Sequence, residues 1–380
     1  MQDSLKVKVH NKIVGDLVYE NEDYIFTYDS SNKDDFVSLT MQVRVRDYLN
    51  KQLHPLFEMH LPEGYLLSVI KKHYSKFTKT DDFGLLSLMS PKVKGRVSYE
   101  NSSLVNKEAL TLDSLLHPKN ENLFEELVDR FALSSAISGV QPKVLAKVED
   151  KATLSFDEYI VKSWGDDYPH LALNEYYSMR IVKLANIEVP EFYISDDNKL
   201  FIMKRFDIKE DGSFLGFEDM CVLQARPRDD KYEGSYEQIA KSIKTFVSPK
   251  NKKDSLEQYF KMIVINNLIK NGDAHLKNFG LLYEDINDIK LSPAFDFVST
   301  IMYIKHDVPA LHLLGSKKWW DKKYLIKFGI ESCELSLKDA NKLYGICVEA
   351  FETIGKEINE RIKIEEDAKI KEFLSQLFNC

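Results

Sequence analysis

The stretch SLEQYFKMIVINNLIKN at 255–271 runs directly into Gly272-Asp273-Ala274-His275-Leu276-Lys277-Asn278. The first part reads as the most apolar helix in the chain, ending near Asn271 and Gly272. A buried helix that opens into a polar loop holds the loop's Asp273, His275 and Asn278 against a rigid floor. Placing a proton acceptor and a metal ligand accurately requires such a floor. A carboxylate there can accept a hydroxyl proton, and an amide oxygen can ligate Mg²⁺.

Asp273 and Asn278 stand five positions apart, the separation of the catalytic Asp and the magnesium-binding Asn in the protein-kinase catalytic loop. Working outward, LSPAFDFVS at 291–299 places Asp296 after a short β-like run, as the kinase metal-binding aspartate is placed. Asn278 and Asp296 then supply the two oxygen ligands that phosphoryl transfer needs as a minimum. Taken singly, each is equally well a turn residue, because Asp and Asn favour loops. Upstream, Lys162 lies inside the apolar run Tyr159–Trp164. Alone it reads as an edge-strand lysine facing solvent. It follows the loop SSAISGVQPK at 134–143, however, and precedes a predicted helix bearing Glu175. Loop, lysine, helical glutamate, catalytic Asp, Asn and metal-binding Asp thus follow the kinase order. The loop has one glycine, Gly139, and offers a phosphate its backbone N–H groups, hydroxyls of Ser134, Ser135 and Ser138, and nearby Gln141 and Lys143. An ordinary polar turn is its alternative reading.

The 380 residues predict two or three packed units. Hydrophobic residues at 44%, with 22 Phe and 19 Tyr, supply a core and leave little room for long disorder. A formal charge of −8 argues against broad nucleic-acid binding, so DNA would be met through a partner or a local patch. Cys221, Cys333, Cys347 and Cys380 form no CxxC pair and read as thiols in a reducing compartment. No signal peptide or membrane span is read, so a cytoplasmic location is expected.

Residues 1 to about 110 alternate in short runs such as Val7, Val9, Ile13 and Val14, which predicts a small β-rich unit. A helix after Pro62, with Tyr65, Leu66, Val69 and Ile70 on one face, would close it. KVLAKV and TLSFDEYIVKSW read as strands joined by a turn at Glu149–Lys151, followed by a helix through Leu173, Tyr177, Ile181 and Leu184. Beyond Phe206 helices dominate. The expected fold is α+β and two-lobed, protein-kinase-like, with an extra β-rich N-terminal subdomain and a mostly helical C-terminal lobe. Its parts would be 1–115, 116–206 and 207–380, with the first break near Pro118.

Taken together, Ile137-Ser138-Gly139-Val140-Gln141-Pro142-Lys143, Ile160-Val161-Lys162, Asn174-Glu175-Tyr176, Met203-Lys204-Arg205-Phe206-Asp207, Asp273 to Phe279 and Pro293-Ala294-Phe295-Asp296 resemble HipA-type kinases. PLFEMHLPEG at 55–64 is similar to the amino-terminal subdomain of that family. The resemblance implies an ATP- and Mg²⁺-dependent toxin kinase that phosphorylates a Ser or Thr of a translation component, commonly an aminoacyl-tRNA synthetase. It also implies a helix-turn-helix, HipB-like antitoxin that meets DNA on the toxin's behalf. Carried over, Asp273 is the base, and Asn278 and Asp296 are the Mg²⁺ ligands. Lys162, paired with Glu175, meets the nucleotide phosphates, and Lys204 to Phe206 meet adenine. Ser138, Gly139, Val140, Gln141, Lys143, His275 and Lys277 complete the nucleotide site. Family members often carry an autophosphorylated serine where this chain has Ala136. Ser138 is the expected replacement, since a phosphate there adds roughly −1.5 to −2 charge beside the ATP phosphates.

Two other readings stand beside this one. The same fold could act as a nucleotide-binding corepressor that docks an antitoxin without turnover. A metal-dependent hydrolase using Asp273, His275 and Asp296 is weaker, because the nine histidines form no HExxH pair. His275 reads as a hydrogen-bonder bracing the loop. Trp319-Trp320 reads as packed against a helix, and KEINERIKIEEDAKIKEF as a solvated helix.

Overall fold

The alternating runs at the N-terminus become strands β1 (Ser4–Val9), β2 (Lys12–Glu20) and β3 (Asp23–Tyr28). Period two is visible in β1, where Leu5, Val7 and Val9 are buried and Ser4, Lys6 and Lys8 are partly exposed. His10-Asn11 and Asn21-Glu22 turn the chain with φ between 47° and 65°, matching the mirror-image turns that suit strand twist. β4 (Tyr48–Asn50) and β5 (Val97–Tyr99) complete an antiparallel sheet ordered β4-β3-β2-β1-β5. This computed structural model describes residues 4–61, 81–101, 111–119, 143–149, 156–163 and 168–378, with 143–149 and 156–158 in backbone only. The helix expected after Pro62 lies outside the described residues.

A second antiparallel sheet, ordered β6-β7-β9-β8, is built from β6 (Lys143–Glu149), β7 (Phe156–Lys162), β8 (Phe192–Ile194) and β9 (Phe201–Lys204). The expected strand pair is β6 and β7, with Lys143 opposite Lys162 and Glu149 opposite Phe156. Because β7 runs between β6 and β9, it is not an edge, and the solvent-facing reading of Lys162 fails. The pleat sorts side chains by side: Tyr159, Val161 and Ile202 join the core under the N-terminal sheet, while Phe201 and Met203 join the helical core. Lys162 shares the helix-facing side with Ile160, two residues before it.

Beyond Phe206 helices do dominate, at Tyr236–Phe246, Lys252–Leu268, Lys322–Glu331, Leu337–Ile364 and Ala368–Gln376. Set among them is a third sheet of β10 (Gly216–Asp219), β11 (Gly280–Tyr283) and β12 (Ile289–Leu291), whose strands are too short to show a period in sequence. The charged tail is two helices rather than one, because the Asp367 carboxylate accepts the Lys369 and Ile370 N–H groups and starts a new one. Nor is it wholly solvated, for Arg361 donates to the Tyr177 hydroxyl and to Asn198 Oδ1. Trp319 donates its indole N–H to the Asp307 carbonyl, and Trp320 packs on Tyr324. Cys221, Cys333 and Cys347 are buried free thiols. Among the described residues no helix is long and apolar enough to cross a membrane.

Candidate active site

The helix Lys252–Leu268 carries the loop at its C-terminal end. Lys270 adopts a left-handed φ of 58°, and the Asn271 N–H returns to the Asn266 carbonyl at 2.9 Å. This six-to-one closure terminates the helix slightly before the expected Asn271. The Asn271 side chain then ties both ways, donating to Asn266 Oδ1 and accepting the Asp273 N–H. Thr300 Oγ1 accepts the Gly272 N–H at 2.7 Å and donates to the Lys270 carbonyl at 3.1 Å. Gly272 is required by close approach: a Cβ there would fall 1.9 Å from the Asp307 carboxylate.

On this scaffold Asp273 keeps a side chain 52% exposed, with Oδ1 accepting the Tyr232 hydroxyl at 2.7 Å. His275 is buried, its ring edge-on to Tyr232 at 5.0 Å between centroids. Burial pulls the imidazole down to about 4; Asp273 and Asp296 oppose that, while Lys231 and Lys277 reinforce it. The ring is therefore neutral at pH 7. His275 Nδ1 has no hydrogen-bond partner among the described residues, while its Nε2 stands 4.0 Å from Asp273 Oδ1, so packing on Tyr232 contributes to the expected brace. Lys277, partly exposed, follows on the turn Leu276–Asn278. Asn278 is buried, and its Oδ1 also lacks a partner among the described residues.

Lys162 is buried on β7, and its ammonium lies 2.6 Å from Glu175 Oε1, on the helix Leu171–Leu184. Its second carboxylate partner is Asp296. Burial alone would depress the lysine, but the charges of Asp296 and Glu175 hold it above its ordinary value. Asp296 has φ 59°, a conformation costing a non-glycine residue roughly 1–2 kcal/mol and typical of functional segments. The Asn174 side chain secures that segment, accepting the Ser299 N–H at 2.8 Å and donating to the Ser299 carbonyl at 3.0 Å.

Phe206 stacks on Phe295 at 5.6 Å and meets Phe217 edge-on at 5.4 Å, making a half-buried aromatic patch beside Asp296. Gly280 admits Phe217, since a Cβ there would sit 2.4 Å from its ring. The Lys204 ammonium lies 3.9 Å from Glu191 Oε1. Ser138, Gly139, Val140 and Gln141 lie outside the described residues, and Lys143 is described in backbone as the start of β6. Asn174, Thr300, Tyr232, Phe217 and Phe295 were missed as site residues. Of these, Asn174, adjacent to Glu175, and Phe295, adjacent to Asp296, stood within quoted motifs.

The donor set can be tested against Mg²⁺. A buried amide oxygen without a hydrogen-bond partner, Asn278 Oδ1, and a carboxylate, Asp296, are the hard oxygens this cation takes, with phosphate and water completing its shell. They fit. Among the described residues, no three His, Cys, Asp or Glu side chains gather as the hydrolase reading would need.

Comparison with known proteins gives the same architecture a lineage. A family model of the HipA-like C-terminal domain matches residues 135–362, and one of the HipA N-terminal domain matches 5–100. "Putative kinase Y4dM" of Sinorhizobium fredii is 28% identical over 316 residues, covering 77% of this chain and 73% of that protein. A "Putative kinase" of Haemophilus influenzae is 32% identical over 185 residues, which span 44% of this chain and 53% of that protein. A chain of the Shewanella oneidensis MR-1 toxin–antitoxin complex of HipA, HipB and operator DNA superimposes with a TM-score of 0.73 at 19% identity, covering 98% of this chain and 95% of that one. That likeness establishes the α+β, kinase-like fold. With the family match spanning more than half of its length, the chain belongs to the HipA-like family.

Proposed function

We propose that this protein is an ATP- and Mg²⁺-dependent serine/threonine kinase acting as the toxin of a toxin–antitoxin pair. The observation that carries the reading is the joining of Lys162 to both Glu175 and Asp296. Lys162 would turn to the phosphates of ATP, and Glu175 would hold it there. Phe206, with Phe295 and the backbone near Lys204, would receive adenine. Asn278 and Asp296 would hold Mg²⁺, which when bound neutralises charge on the phosphate oxygens. Asp273 would accept the proton of the acceptor hydroxyl as that oxygen attacks the γ-phosphorus and ADP leaves. His275, neutral and buried, would keep the loop's shape without adding charge, and Lys277 would lie at its rim.

Family membership supports finer expectations: a translation component as substrate, a HipB-like helix-turn-helix antitoxin, contact with DNA through that partner, and a cytoplasmic location. Ser138 is the proposed autophosphorylation site, with Ser/Gly-loop residues Gly139, Val140, Gln141 and Lys143 near the phosphates. The test is transfer of the ATP γ-phosphate to the chain itself and to proteins of a bacterial extract, beside Asp273→Asn. Transfer by the unmodified chain alone is expected, with phosphopeptide mapping placing any self-label at Ser138. ATP-dependent stabilisation without transfer to either acceptor would favour the nucleotide-binding corepressor.

A further inference from the structure

We infer that Tyr232 is a positioning residue for Asp273, at the tip of a brace that ties the catalytic loop to the N-terminal unit; this rests on the kinase reading above. The Tyr232 hydroxyl reaches Asp273 Oδ1 at 2.7 Å from a separate segment. Asp273 Oδ2 takes no hydrogen bond from the described residues, and the side chain is 52% exposed. A carboxylate on a loop turns freely about its last torsion. Fixing one oxygen decides which oxygen faces an incoming hydroxyl.

Tyr232 is itself fastened. The carbonyl of Lys231 accepts the Leu276 N–H at 3.0 Å, the Tyr232 carbonyl accepts Lys317 Nζ at 3.2 Å, and its ring lies against His275. At the far end of the segment, the turn Arg228–Asp230 is anchored to the N-terminal unit. The Arg228 N–H donates to Glu58 Oε2, and Arg228 Nη2 donates to Asp82 Oδ1, both at 2.8 Å. A chain of contacts thus runs from Glu58 and Asp82 through Arg228 and Tyr232 to Asp273. The arrangement gives the N-terminal unit a mechanical part in catalysis 

rather than a purely structural one.

The test measures the rate of γ-phosphate transfer from Mg-ATP to the chain and to extract proteins, using the full chain, Tyr232→Phe, Arg228→Gln and the double variant. Tyr232→Phe keeps the ring against His275 and removes only the hydroxyl. It should lower the rate at saturating ATP roughly 10- to 100-fold, with the half-saturating ATP concentration and the melting temperature unchanged. Arg228→Gln should lower the same rate less, and the double variant should be no slower than Tyr232→Phe alone, because both act through one oxygen. An unchanged or faster Tyr232→Phe overturns the inference, the faster result marking the hydroxyl as a competitor of the acceptor. Multiplying effects in the double variant overturn the brace. Absence of transfer from the unmodified chain would overturn the kinase reading itself, and this inference with it.

Discussion

Lys162 and Asp273, which the proposed function sets at the two ends of one Mg-ATP, lie in opposite surroundings. The lysine side chain is 2% exposed and lies between two carboxylates, Glu175 at 0% and Asp296 at 28%. Asp273 is half in solvent, held by one hydroxyl. Where charges are buried and paired, removing one partner leaves the other stranded, so the cluster supports the fold as well as any ligand. Where a carboxylate is open and its neighbour Asn278 carries an amide oxygen without a partner among the described residues, function and stability come apart. The difference separates the scaffold of the site from its reactive edge.

The largest expected effect would come from Lys162→Met. It strands Glu175 and Asp296, so denaturant unfolding should show a loss of about 3–5 kcal/mol, together with loss of ATP binding. Asp273→Asn should do the reverse, cutting phosphoryl transfer about 100- to 10,000-fold while leaving the unfolding midpoint in place. If both variants lost stability equally, the contrast between the two ends would be broken.

A smaller effect is set by pH. Burial holds His54, His60 and His275 at about 4, against an ordinary 6.5. As pH falls from 6.5 towards 4, the unfolded chain gains protons that these folded imidazoles refuse, so stability falls, by roughly 1.4 kcal/mol per pH unit for each ring at most. Buried Glu58, raised to about 7 from 4.5, has the opposite sign and loses stability as pH rises across that range. Buried Glu218, also raised, works in the same direction as Glu58, so against the three rings unfolding free energy should decline on acidification from pH 6.5 to 4 less steeply than the rings alone would give. In His275→Gln that slope should be shallower. Asn278→Ala should cost little stability, within about 1 kcal/mol, because its oxygen gives up no hydrogen bond seen among the described residues.

Much of this was legible in sequence, since strands with strict alternation and the apolar helix declare themselves locally. Lys162, Glu175, Asp273, Asn278 and Asp296 could be ordered along the chain because a kinase-like order is a linear property. The loop's supports could not. Tyr232 and Thr300 act through contacts between segments far apart in sequence, and nothing in their local pattern marks them. Lys162 shows the same limit from the other side: whether its strand is an edge depends on β9, which arrives some forty residues later. His275 was placed correctly in the loop, but its bracing by packing depends on the ring of Tyr232.

The central claim is that the two ends share one Mg-ATP, and calorimetric titration of ATP with and without Mg²⁺ tests it most directly. In the unmodified chain Mg²⁺ should tighten ATP binding, and this gain should vanish in Asn278→Ala combined with Asp296→Asn. Equal ATP affinity with and without Mg²⁺ in the unmodified chain, or a gain that survives both substitutions, would contradict it.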